Sequence, residues 1–284
     1  MKLETLKNWV IPEVDHDYTF KDTILYALGL GFGSDPMDEA ELKFVYEDGL
    51  KAVPSLCNTL SHPGFWVQEP LLELDWVKIL HGEQSFTMHQ QLPPNGKVKG
   101  TYRILSIEDK GEAKGAILTL EKRLVDRDNG TLYYTVITTV FMRGDGGQGG
   151  FGEAPASPDA LPARAPDQVL DLPTMPQVAL VYRLSGDYNP IHASPAIARK
   201  AGFERPILHG LCTMGVATRA LLKARCHYDP TRMKSMYVRF SRPVFPGETI
   251  RTEIFDEADG VVRFRCRSVE RDIVVLDRGS ATIG

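Results

Sequence analysis

The chain has 284 residues, with 33 Lys and Arg against 37 Asp and Glu, a formal net charge of −4, and 43% hydrophobic residues. At roughly 150 residues per domain this length gives one large domain or two small ones, and the composition excludes a largely disordered chain. A slightly acidic chain lacks the basic stripe that general nucleic-acid binding needs, so no nucleic-acid partner is expected. The first residues, MKLETLKNWVIPEVDHD, show no apolar stretch of the secretion-signal kind. No run of about 18 apolar residues occurs, and the final SATIG is not a peroxisomal address of the SKL type. A cytoplasmic protein with no membrane partner is expected.

Residues 20–30 (FKDTILYALGL) carry apolar residues at helical spacing, and residues 39–47 read as a second helical piece. From about Val77 the pattern turns to strands, and Asp128-Asn129-Gly130 between two β-rich runs predicts a hairpin. Residues 143–173 are dominated by Gly, Pro and Ala without an apolar period, which predicts a linker or a surface loop. A literal G-x-G-x-x-G lies there, at residues 144–149, but prolines 155, 158, 162 and 166 follow it. A dinucleotide site needs a helix straight after the glycines, so that reading is rejected. Beyond the linker, residues 194–200 and 211–224 read as helices, with Ser194-Pro195 as an N-cap and first-turn proline. Four strand-like runs follow. Each half is therefore helices first and an antiparallel sheet after, which predicts a duplicated α+β architecture of residues 1–142 and 174–284.

The four cysteines (57, 212, 226 and 266) form no CxxC pair and read as reduced, buried thiols. The seven histidines show no HExxH or similar spacing, so no metal and no cofactor is expected. The informative stretch is residues 182–210. Gly186-Asp187-Tyr188-Asn189-Pro190 is a turn by composition, with Asp187 and His192 five residues apart across it. A carboxylate and an imidazole converging on one cavity can hold and activate a water; an Asx turn beside a surface histidine is the alternative reading of the same residues. His209-Gly210 precedes an apolar helix, whose first N–H groups lack intrahelical acceptors and lie at the positive end of its dipole. A thioester carbonyl approaching Gly210 would find its developing negative charge stabilised there.

The run SGDYNPIH (residues 185–192), continued by PILHGLCTMG (206–215) and VRFSRPVFPGET (238–249), resembles the hydratase motif of the MaoC-like, R-specific (type 2) enoyl-CoA hydratases. LHGEQ (80–84) and EDKGEAKGA (108–116) are similar to segments of the two-repeat members. The resemblance implies a double hot-dog fold, two antiparallel sheets each around a long central helix, the second helix starting at Gly210. It implies one active site, because the first half has no G-D-x-N-P-x-H, and a first repeat (1–142) that forms the acyl-chain groove. By the same resemblance Asp187 and His192 are the catalytic pair, Asn189 a positioning residue and Gly210 the oxyanion-hole donor. His81, Gly82, Lys110 and Phe240 line the substrate and CoA site. The implied reaction is reversible hydration of trans-2-enoyl-CoA to (3R)-3-hydroxyacyl-CoA, with acyl-CoA as the partner and a homodimer compatible with the fold. Arg205, Arg239 and Arg242 are candidates for the CoA phosphates. Three alternatives stay open: a dehydratase of carrier-bound or branched acyl thioesters, a hot-dog thioesterase, and a non-catalytic acyl-CoA binder.

Overall fold

A computed structural model describes residues 1–284. The first repeat contains α1 (Leu3–Lys7), β1 (Val14–Tyr18), α2 (Phe20–Gly29), α3 (Glu39–Leu42), β2 (Ile79–Met88), β3 (Gly96–Asp109), β4 (Ala116–Asp126) and β5 (Leu132–Met142). Thr19 and Asp22 form a reciprocal capping box at the start of α2. The second helical piece is shorter than its pattern implied, because α3 ends at Leu42 and the chain continues in turns. The predicted hairpin joins β4 to β5, with Gly130 in the left-handed region (φ +75°) where other residues are disfavoured.

After the two-residue β6 (Phe151–Gly152) come β7 (Gln168–Pro173), α4 (Val178–Tyr182), α5 (Pro195–Lys200), α6 (Gly210–Ala224), β8 (Met233–Phe240), β9 (Thr249–Asp256), β10 (Val261–Ser268) and β11 (Ile273–Ile283). Ser194 caps α5 by accepting from the Ile197 N–H. The strands pair in the order β1-β3-β4-β5-β2-β8-β11-β10-β9-β7, with β6 attached to β3. The first five and the last five are the same sequence of roles read in opposite directions, so the duplication expected from the sequence is real. The fold is a double hot-dog.

Three details differ from expectation. The two sheets are one continuous sheet, because β2 and β8 pair from Glu83↔Arg239 to Thr87↔Ser235. Only the second repeat has a long central helix. The place of α6 is taken in the first repeat by a five-residue 3-10 turn, Pro54–Asn58, fully buried and touching α6. Lys122 on β4 points inward beneath that turn and donates to the carbonyls of Cys57 (2.7 Å), Asn58 (3.3 Å) and Leu60 (2.8 Å). Orphan carbonyls at a helix end need such donors, and a cation there complements the helix dipole. The linker boundary also moves: residues 168–173 form β7 on the edge of the second sheet, paired with β9. The duplication demands this strand, as the counterpart of β1.

One core cluster of 44 buried residues runs through both repeats, and a second of nine lies beneath α1 and the turns near Leu72 and Leu74. Residues Cys212–Leu222 of α6 are all buried, and burying one large apolar side chain contributes about 1.5–3 kcal/mol. Gly215 is required by packing, since a Cβ there would lie 2.3 Å from Leu30 Cδ2. Arg219, also on α6, is clamped by Glu41 of α3 through bonds of 2.8 and 2.9 Å, with both side chains at 5% exposure or less. This inter-repeat pair was not foreseen from the sequence, which gives no local cue that distant charges will be buried together.

Candidate active site

The 182–192 turn is built by its own side chains. Asp187 Oδ1 accepts from the Asn189 N–H (3.1 Å), and Asn189 Oδ1 accepts from the Ile191 N–H (3.1 Å), capping a short 3-10 turn over Pro190–His192. Asn189 thus shapes the backbone of the turn that carries both Asp187 and His192. His192 Nδ1 lies 2.8 Å from the Ile207 carbonyl. A carbonyl only accepts, so Nδ1 carries the proton and Nε2 keeps its lone pair. Burial lowers the His192 pKa below its ordinary value, opposed by the Ile207 hydrogen bond and Asp187. The ring is held neutral near pH 7.

A third group joins the pair. Donor atoms of Asp187, His192 and His209 all lie within 4.8 Å of one another. The His192 and His209 rings stack with centroids 3.7 Å apart and planes 28° apart. His209 Nε2–H donates to the Asp187 main-chain carbonyl (3.2 Å), while its Nδ1 is buried without a partner. The fold thus makes a cluster that histidine spacing did not reveal. As a metal site its geometry is poor. The rings face each other, so their in-plane lone pairs do not converge, and each ring commits one nitrogen to a carbonyl.

His209 is the residue before α6, and Gly210 begins it as expected. The Gly210 and Leu211 N–H groups have no protein acceptor. The missing Cβ of Gly210 leaves room for the Phe240 ring, which a Cβ would approach to 3.1 Å. Phe240 meets the His81 ring edge-on at 4.7 Å. His81 reaches this side because a β-bulge between His81 and Glu83 turns it to the same face as Gln84. Gly82 is the extra residue of the bulge, and a Cβ there would lie 2.5 Å from the Phe141 ring. His81 Nε2–H donates to Gln84 Oε1, and Gln84 Nε2 donates to the buried Asn58, both at 2.9 Å. First-repeat residues thus floor the site, and Asp187 acts electrostatically on both His62 and His81.

Lys110 is not brought to this cluster. It pairs with Glu108 and lines a cavity of about 600 Å³ with Glu83, Thr119, Phe141 and linker residues 152–155. Asp187, His192 and Gly210 do not line that cavity. Strand alternation places it on the sheet face away from α6. Arg239 lies there too, bound to Glu83 at 2.5 and 2.8 Å, so it is engaged within the protein. Arg205 covers the Phe245 ring, 4.7 Å from its centroid, and Arg242 touches only the carbonyl of Ser241. The glycine-rich run does bind an anion through its N–H groups, but an internal one: Asp109 accepts from Gly147 (2.8 Å) and Gly149 (2.7 Å).

Fold and site together define a double hot-dog protein with one Asp–His centre at the N-terminus of its single long helix. The chain belongs to the MaoC-like dehydratase family. Residues 158–277 match the MaoC like domain, and residues 16–144 match the MFE-2 hydratase 2 N-terminal domain. It is similar to 3-hydroxyacyl-thioester dehydratase Y of Mycobacterium tuberculosis, at 39% identity over 93% of this chain and 92% of that one. The peroxisomal enoyl-CoA hydratase 2 of Arabidopsis thaliana is also 39% identical, over 94% of this chain and 90% of its own. The crystal structure of a MaoC-like dehydratase from Phytophthora capsici superposes with a TM-score of 0.88 at 37% identity, covering 99% of this chain and 98% of that one.

Proposed function

We propose that the protein reversibly hydrates trans-2-enoyl-CoA to 3-hydroxyacyl-CoA. The carrying observation is two acceptors beside two unpaired donors. Asp187 Oδ2 has no hydrogen-bond partner, and His192 Nε2 is left with its lone pair. A water between them donates both protons, which leaves its oxygen lone pairs free to attack C3. The Gly210 and Leu211 N–H groups stand at the helix N-terminus, where they hold the negative charge that attack drives onto the thioester oxygen. Neutral His192 takes the water proton. Neither member of the pair starts with a proton to spare, so the hydrogen added at C2 is the one removed from that water, and H and OH add in balance. Membership of the family supports the (3R) product.

The acyl chain is assigned to the first-repeat side, where the five-residue turn Pro54–Asn58 takes less room than the 15-residue α6. The reading includes acyl-CoA as substrate and no cofactor beyond it. It also includes a homodimer, for which Trp76, Val77, Leu80 and Phe141 supply exposed apolar area near one end of β2; sedimentation reads that. No helix is long and apolar enough to cross a membrane. Cell fractionation separates the cytoplasmic residence proposed here from the peroxisomal residence stated in the plant relative's name.

The test is loss of the conjugated-thioester absorbance with crotonyl-CoA and trans-2-decenoyl-CoA, with free thiol followed in parallel. Hydration without thiol release is expected, faster for the longer ester. Thiol release would instead establish a thioesterase and overturn the mechanism.

A further inference from the structure

His209 has no place in the chemistry just described, yet it touches both members of the pair. Its Nε2–H holds the Asp187 carbonyl at 3.2 Å and its ring lies 3.7 Å over His192. On its other side the Tyr182 ring backs it at 5.0 Å, and its own carbonyl accepts from the Cys212 and Thr213 N–H groups that open α6. One residue therefore fixes the Asp187 main chain, the His192 ring plane and the helix that carries the Gly210 donor. The side chain is 1% exposed.

We infer that His209 is a positioning residue with two separable duties: its N–H anchors the Asp187 turn, and its ring screens one face of His192 from water. This inference rests on the hydratase reading. Neither duty needs a charge on the ring. Burial pulls its pKa down to about 4, with His192 and Arg183 acting in the same direction and Asp187 opposing. The groups facing the two rings are Asp187, Arg183 and Tyr182 of the second repeat. His62 and His81 of the first repeat lie further out around Asp187. A neutral His209 spares His192 a second cation when it takes the water proton.

Two substitutions divide the duties. His209→Phe keeps an aromatic face over His192 and removes the anchor. It is expected to lower kcat about 10–100-fold, the scale of a small misplacement of a catalytic group. KM should stay within about 3-fold, and the acidic limb of the pH profile should not move. His209→Gln keeps a donor and removes the ring. Its acidic limb is expected to move up toward 6.5 as water reaches His192. Histidine Cε1 NMR titrations, assigned through His192→Asn, read the same shift without turnover. Wild-type kcat and an unmoved limb in both variants would falsify the inference. So would losses that track melting temperature alone with an unshifted His192 titration. A wild-type protein that hydrates no enoyl thioester would sink the hydratase reading instead, while the NMR arm still tests the contact.

Discussion

The two repeats share five strands in one order and differ in what lies beneath them. The second buries the 15-residue α6, whose N-terminus leaves two N–H groups unpaired beside Asp187 and His192. The first has the turn Pro54–Asn58, whose carbonyl end is closed by Lys122. Burial lowers that lysine to about 8, so it remains mostly protonated at neutral pH. One repeat thus presents a helix end that attracts negative charge, and the other a helix end already neutralised by a cation. The sheet tolerates either filling, because its strands are joined by backbone pairing and both fillings are apolar and packed. Chemistry needs the open helix N-terminus, and only the second repeat offers one.

This contrast can be broken in graded ways. The largest effect should come from Asp187→Ala, which removes one water-holding acceptor and should lower kcat about 10²–10⁴-fold. A near-wild-type rate would remove Asp187 from the mechanism. Next, Glu41→Ala leaves the buried Arg219 charge unpaired across the repeat junction, which should cost about 3–5 kcal/mol by denaturant titration. A loss below ~1 kcal/mol would mean that water replaces the carboxylate. Third, Lys122→Met leaves three turn carbonyls without a donor and should cost about 1–3 kcal/mol. Hydration should persist if the first repeat is only a floor for the site.

The pH dependence follows from His16, His62, His81, His192 and His209, which burial holds below the ordinary 6.5, His209 down to about 4. Between those values the unfolded chain binds more protons than the folded one. Stability is therefore full above pH 6.5 and declines as pH falls toward 4. Melting curves across that window check the sign, and His209→Phe should reduce the decline without abolishing it. The smallest effect is expected for Asn189→Ala. It removes a cap to the Ile191 N–H worth about 0.5–2 kcal/mol and should slow turnover less than Asp187→Ala does.

Much of the site was legible because its residues are close in sequence. Asp187, Asn189, Pro190 and His192 fall in one six-residue turn whose composition dictates its own hydrogen bonds, and Gly210 follows from the start of an apolar helix. His209 was written beside Gly210, but its contact with Asp187 depends on two loops meeting across the fold. Lys110 was named from a short motif alone, and its place, just after β3 in a cavity that Asp187, His192 and Gly210 do not line, is set by the sheet.

By itself the sequence determined the local geometry: the Asp-x-Asn-Pro-x-His turn, the caps of α2 and α5, the hairpin at Gly130 and the two-part layout. These depend on backbone preferences and on hydrogen bonds within a few residues. Only the tertiary structure decided that β7 is a strand, that the two sheets fuse through β2 and β8, and that the first repeat has no long helix. It alone stacked His209 on His192 and buried Glu41 with Arg219. Those outcomes rest on which surfaces exclude water from one another, a property of pairs of segments far apart in the chain.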